Sequence, residues 1–124
     1  EKLDELKIGQ IVSDVVEKMK ESGAMVLVRS IILYGSYARG TPTPKSDIDL
    51  FFIAPKSAVD KIINDCGVIS STHSKKVQPN VVDEKVFAKM LQEKNEFAQD
   101  LVKEGIVVFG FEFYYSILMK EWKS

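Results

Sequence analysis

The chain has 124 residues, of which 45% are apolar and 28% charged, and its formal net charge is −1. Such a length and composition describe a soluble globular protein with one hydrophobic core, hence a single domain over residues 1–124. The charge balance offers no basic patch to steer a polynucleotide, the lone Cys66 excludes an internal disulfide, and no apolar stretch reaches the roughly 20 residues that cross a bilayer. Nucleic acid and membrane are therefore not indicated, and a cytoplasmic protein is expected.

Leu3, Leu6, Ile11, Val12, Val15, Val16 and Met19 recur at three- and four-residue intervals, which predicts an amphipathic first helix ending near Ser22-Gly23. The apolar, β-branched-rich run from Met25 to Tyr34 then reads as a buried strand that ends at Gly35, where the chain turns. A glycine at that point lets the backbone approach a ligand closely, since it has no Cβ to collide with a phosphate oxygen. Ser36-Tyr37-Ala38-Arg39 reads as a helical turn whose unpaired N–H groups and serine hydroxyl favour an anion. Arg39 adds a permanent charge with a planar fork suited to phosphate. Such a corner suits the triphosphate of a nucleotide.

Thr41-Pro42-Thr43-Pro44-Lys45-Ser46 reads as a loop, because each proline pushes its predecessor into extended geometry. The next strand begins Asp47-Ile48-Asp49-Leu50 and runs to Ile53. Residues two apart on a strand share a face, so Asp47 and Asp49 stand together with Cα atoms roughly 6.5–7 Å apart, while Ile48 and Leu50 point into the core. Two adjacent acids repel one another unless a cation lies between them, and hard oxygen ligands suit Mg²⁺ or Mn²⁺.

Pro55 ends that strand, and Val59, Ile62, Ile63, Cys66 and Ile69 continue a helical period to about Ser71, with Gly67 allowing an earlier stop at Cys66. Lys75 to Val82 reads as a third strand, placed at a sheet edge or bulge by Pro79, which cannot donate to a ladder. Asp83 is placed to cap a helix through Leu91. A further helix runs from about Lys94 to Glu104 and stops at Gly105, a short fourth strand takes Ile106 to Phe109, and a last helix spans Glu112 to Trp122. The alternation predicts an α/β or α+β fold with a small mixed sheet of about four strands flanked by helices. Cys66 reads as a buried small hydrophobe and His73, in a polar run, as a surface residue. Phe109, Phe111, Phe113, Tyr114, Tyr115 and Trp122 are more aromatics than one face of a terminal helix buries, so part of the cluster is a candidate interface beside the core.

Each motif residue alone has a plainer reading: Gly35 as a turn glycine, Ser36 as a helix cap, Asp47 and Asp49 as the solvated face of a strand, Arg39 as a surface cation. Their order in one continuous segment favours nucleotide binding. Tyr34-Gly35-Ser36-Tyr37-Ala38-Arg39-Gly40, followed by Ser46-Asp47-Ile48-Asp49-Leu50, resembles the core motif of the DNA polymerase beta-type nucleotidyltransferases, and among them the minimal nucleotidyltransferases of archaea and bacteria. The resemblance implies the nucleotidyltransferase fold. It also implies that Gly35 and Ser36 seat the nucleotide phosphates with support from Arg39, that Asp47 and Asp49 are catalytic and hold divalent metal, Mg²⁺ or Mn²⁺, and that an NMP is transferred from an NTP, with ATP and AMP the commonest case.

Active members of that family place a third carboxylate on a neighbouring strand. The third strand here reads Lys75-Lys76-Val77-Gln78-Pro79-Asn80-Val81-Val82 and contains no acid. Asp83 and Glu84 follow it and read better as a helix cap and a first-turn acid than as catalysts. One alternative is therefore a degenerate module that binds nucleotide or partner without turnover. Another is a regulatory domain, since the chain begins with Glu1 in place of methionine and is open to being a processed product or a domain excised from a longer protein. A single domain has no room to bind an acceptor. The resemblance thus implies a partner that brings it, such as a HEPN-type helical protein in a toxin–antitoxin pair, and a homo-oligomer stays open.

Overall fold

The computed structural model describes residues 2–122, with side chains from residue 7 onward; the expected contributions of Leu3 and Leu6 lie outside the described side chains. Helix α1 spans Lys2–Ser22. The apolar period does what it predicts, burying Ile11, Val15 and Met19 completely.

The run from Met25 is not strand throughout. Gly23 turns the chain at φ 88°, and Ala24–Leu27 forms a single turn of 3₁₀ helix, so strand β1 is confined to Ser30–Tyr34. Ala24 and Met25 are both buried while Val26 is 87% exposed, a pattern that strict strand alternation cannot produce. A one-turn helix α2 (Ser36–Arg39) and the proline loop lead to strand β2 (Ile48–Ile53), antiparallel to β1 with Tyr34 opposite Asp49.

Helix α3 (Val59–His73) runs straight through Gly67. Gly67 lies on the exposed side, so its missing side chain forfeits no packing, while Ile62, Cys66 and Ile69 anchor the opposite face. Strand β3 (Val77–Val82) is shorter than expected and pairs parallel with β2 at the sheet edge, where Pro79 costs no ladder bond. Asp83 caps helix α4 (Glu84–Glu93) by accepting from the Val86 N–H at 2.8 Å. Lys94 is the left-handed C-cap of α4 and not the start of the next helix; Asn95 caps α5 (Glu96–Glu104) through the Ala98 N–H at 2.8 Å. Strand β4 (Ile106–Phe109) and helix α6 (Phe111–Glu121) complete the described chain.

The four strands form one mixed sheet in the order β3-β2-β1-β4. Helices α1 and α3 cover one face over Ile31, Leu33, Ile48, Leu50 and Phe52, and α4, α5 and α6 cover the other over Ile32, Phe51 and Ile53. The aromatic cluster divides: Tyr114 is buried and stacks on Phe87 at 5.8 Å, whereas Phe111, Tyr115 and Phe109 are exposed. His73 is not a plain surface residue, because Asp14 on α1 draws its ring in with an Nε2 to Oδ2 contact of 2.7 Å, leaving its side chain 19% exposed. Cys66 is fully buried, and desolvation pushes its thiol up to about 12, as befits an inert core residue.

Candidate active site

The antiparallel pairing of β1 and β2 brings the end of one strand to the start of the other, so everything between them is presented at one sheet end. Gly35 leaves β1 at φ 76° and ψ −157°, a conformation essentially reserved for glycine. Its carbonyl accepts from the Ala38 and Arg39 N–H groups, each at 3.1 Å, which closes α2, and the Ser36 and Tyr37 amides precede these bonds. Gly40, at φ 77°, ends the turn and leaves Arg39 exposed beside it.

Asp49 is the second residue of β2, flanked by Tyr34 on β1 and Gln78 on β3. It lies directly beneath Gly35: a Cβ on that glycine would overlap the carboxylate, with Asp49 Cγ at 3.2 Å. Asp47 stands one residue ahead of the strand. Burial holds the Asp49 carboxyl above its ordinary value, the Asp47 charge raises it further, and Arg39 opposes both. The acid pair is thus an under-compensated negative site. The loop before it is held by Ser46, whose Oγ accepts from the Thr43 N–H at 2.9 Å. Lys75 adds a hydrogen bond from Nζ to the Pro44 carbonyl at 3.4 Å and lies over the Tyr37 ring at 5.1 Å. Lys45 is exposed, with its side chain on the loop surface.

Gln78 is the direct β3 neighbour of Asp49, and Asn80 follows two residues along the same face. A neutral amide therefore occupies the cross-strand position where a third carboxylate would join the pair. Among the described residues no three His, Cys, Asp or Glu side chains are grouped to hold a metal. The two carboxylates fit a hard divalent cation as a partial ligand set, and the remaining oxygens would have to come from nucleotide phosphates and water. Asp83 and Glu84 lie beyond Val82, which pairs with Ile53 at the far end of the sheet. They serve as the α4 cap and as the partner of Arg29 at 3.5 Å.

Sequence reasoning missed the wall opposite the corner. A pocket of about 200 Å³ is lined by Tyr34, Gly35 and Arg39 on one side and by Phe97, Asp100 and Glu104 of α5 on the other. Phe97 meets the Tyr34 ring edge-on at 5.3 Å, and Glu104 approaches Arg39 at 3.8 Å. Burial raises the Tyr34 phenol, the Asn80 amide opposes this, and the Asp49 charge adds to it. More than forty residues separate α5 from the motif, and its local signal, an amphipathic period, marks the buried face and not the one toward the pocket. On the other sheet face a groove of about 770 Å³ runs between α1 and β4, lined by Val12, Val16, Ile106 and Val108.

The Nucleotidyltransferase domain family matches residues 12–110, from within α1 to the start of α6, and so contains the whole corner. Two proteins of Methanocaldococcus jannaschii are similar to this chain. One, named "Putative protein adenylyltransferase MJ1305", is 42% identical over 62 residues, which are 48% of this chain and 42% of that protein. The chain therefore spans less than half the length of that relative. The other, "Putative protein adenylyltransferase MJ0604", is 30% identical over 82 residues, 66% of this chain and 79% of that protein. Among solved structures, a toxin–antitoxin with AMP-PNP superposes with a TM-score of 0.52 at 18% identity, covering 87% of this chain and 90% of that one. A mutant of the toxin–antitoxin MntA-HpeT gives 0.51 at 16% identity with coverage of 87% and 90%. Both share the fold. With the Gly-Ser corner, the paired aspartates and the mixed sheet all inside the matched span, the chain belongs to the nucleotidyltransferase domain family.

Proposed function

We propose that the protein transfers AMP from ATP to a hydroxyl group on a partner protein, with Asp47 and Asp49 as catalytic metal ligands and Gly35, Ser36 and Arg39 as the phosphate seat. The observation that carries this reading is the apposition of Gly35 and Asp49, which leaves a side-chain-free floor between anion-binding amides and an acid pair. In the reaction the acceptor oxygen attacks the α-phosphorus and forms the new P–O bond. The bond to the β-phosphate bridging oxygen breaks, pyrophosphate leaves, and the hydroxyl proton passes to solvent. A divalent cation held by the acid pair supplies charge neutralisation for the polyphosphate. The residues of this chain contribute orientation: the Gly35 turn allows close approach, the Ser36 and Tyr37 amides face the anion, and Arg39 answers its charge.

Adenylyl transfer to protein is supported by the names of the two archaeal relatives. A protein acceptor is further supported by the toxin–antitoxin assemblies that share the fold; that the partner is a helical protein of the HEPN type rests on the resemblance of the motif to the minimal nucleotidyltransferases. The exposed Phe109, Phe111 and Tyr115 are suited to such a contact. Gln78 favours one second reading, a module that binds nucleotide without turnover, since an amide cannot take the acceptor proton. Incubation with ATP labelled at the α-phosphate, Mg²⁺ and the protein encoded beside this gene tests the choice. Label on that protein, lost with Asp49→Ala, supports transfer; Mg²⁺-dependent nucleotide binding with no label on any protein supports the second reading.

A further inference from the structure

The last turn of α5 is built against local electrostatic preference. Glu104 ends the helix, where the dipole disfavours a carboxylate, and it stands four residues from Asp100, a like charge on the same face. Both acids border the pocket beside Gly35. Their backbone is fixed: Leu101 is buried, and any side chain at Gly105 would run into the Leu101 carbonyl and the Ile32 side chain, so the helix end sits hard against β1. What this geometry delivers is a carboxylate facing the motif arginine, with Glu104 Oε1 3.8 Å from Arg39 Nη1.

Arg39 needs such a partner. Its backbone belongs to a one-turn helix closed by a glycine, and its side chain is half-exposed, so α2 alone does not select one rotamer. It also has a competing anion in Asp49, near enough to feel its charge. We propose that Glu104 is a positioning residue for the nucleotide: its carboxylate holds the Arg39 guanidinium over the phosphate corner, away from the metal-binding acids. The inference rests on the proposed phosphate-binding role of the corner. A half-exposed ion pair adds little to fold stability, so its effect belongs to binding and not to folding.

The test is a double-mutant cycle on nucleotide affinity, with the full chain, Mg²⁺ and a non-hydrolysable ATP analogue as the probe. Glu104→Gln and Glu104→Ala should each weaken binding by roughly three- to tenfold, the span of one charge contact. Arg39→Ala should weaken it more, and the Arg39→Ala/Glu104→Ala double variant should bind no worse than Arg39→Ala alone. Melting temperatures should match the wild type throughout. Additive losses, or unchanged affinity in both Glu104 variants, overturn the positioning role while leaving the site reading intact. No Mg²⁺-dependent binding by the wild type overturns the site reading and this inference with it.

Discussion

Gly35 lies directly against Asp49, so closely that any side chain at position 35 would occupy the space of the carboxylate. Two residues fourteen positions apart thus form one surface, because β1 and β2 pair with Tyr34 opposite Asp49. Gly35→Ala both strains a positive φ and displaces the acid. The expected outcome is a loss of transfer activity of about 100-fold or more, with a stability cost of about 1–3 kcal/mol. Label-transfer rates and thermal melting of the variant check both parts.

Asp49→Asn should separate function from stability. Its folded pKa is raised by burial, then by Asp47, against the pull of Arg39. A raised carboxyl binds protons more readily in the folded state than in the unfolded state. Its contribution is therefore fully present below the ordinary value of 3.8 and is lost as pH rises through the raised one. At neutral pH the ionised acid is a liability to the empty protein. The asparagine variant should melt at a higher temperature than wild type at pH 7, with the difference vanishing in acid, and should lose Mg²⁺-dependent nucleotide binding. A variant that melts lower at neutral pH contradicts this.

Gln78→Glu installs a carboxylate beside Asp49 on the same sheet face. If the amide limits the reaction, transfer to the partner should rise about tenfold or more, a fraction of the 10²–10⁴ that a general base contributes. The added charge should lower the melting temperature without Mg²⁺ and restore it with the ion. Label-transfer rates with and without the substitution decide the point.

Asp14 and His73 clasp α1 to α3 at 2.7 Å. The hydrogen bond from His73 depresses the Asp14 carboxyl, with Gln10 adding to the effect. A depressed acid contributes stability above its ordinary value of 3.8 and loses it as pH falls through the folded value. His73→Ala should therefore melt below wild type at pH 6, with the gap closing as the pH drops under that of a free carboxylate. Melting curves across that range provide the check.

Much of this was legible in the chain because local chemistry dictated it. The α1 period, the break at Gly35, the Asp83 cap and the edge position of Pro79 each follow from what one residue's backbone or side chain permits. Met25 to Leu27 departs from the strand expectation because an apolar run looks alike in a strand and in a 3₁₀ turn, and Gly23 and the tertiary position of Val26 separate them. The helical period carries α3 through Gly67 as its apolar positions predict, since the helix-weakening effect of that glycine is offset by the burial of Cys66 and Ile69. At the candidate site, the order of the motif predicts that the Gly35 corner and Asp49 meet, and the β1–β2 pairing brings them together. Phe97, Asp100 and Glu104 were not legible, because α5 reaches the corner only through long-range packing of its Leu101 and Phe97 in the cluster with Ile32 and Phe51.

The most direct test is calorimetric titration of the protein with ATP in the presence and absence of Mg²⁺, repeated with Asp49→Ala. The account predicts saturable binding that requires the ion and disappears in the variant. Equal binding with and without Mg²⁺, or an unaltered isotherm for Asp49→Ala, would contradict it.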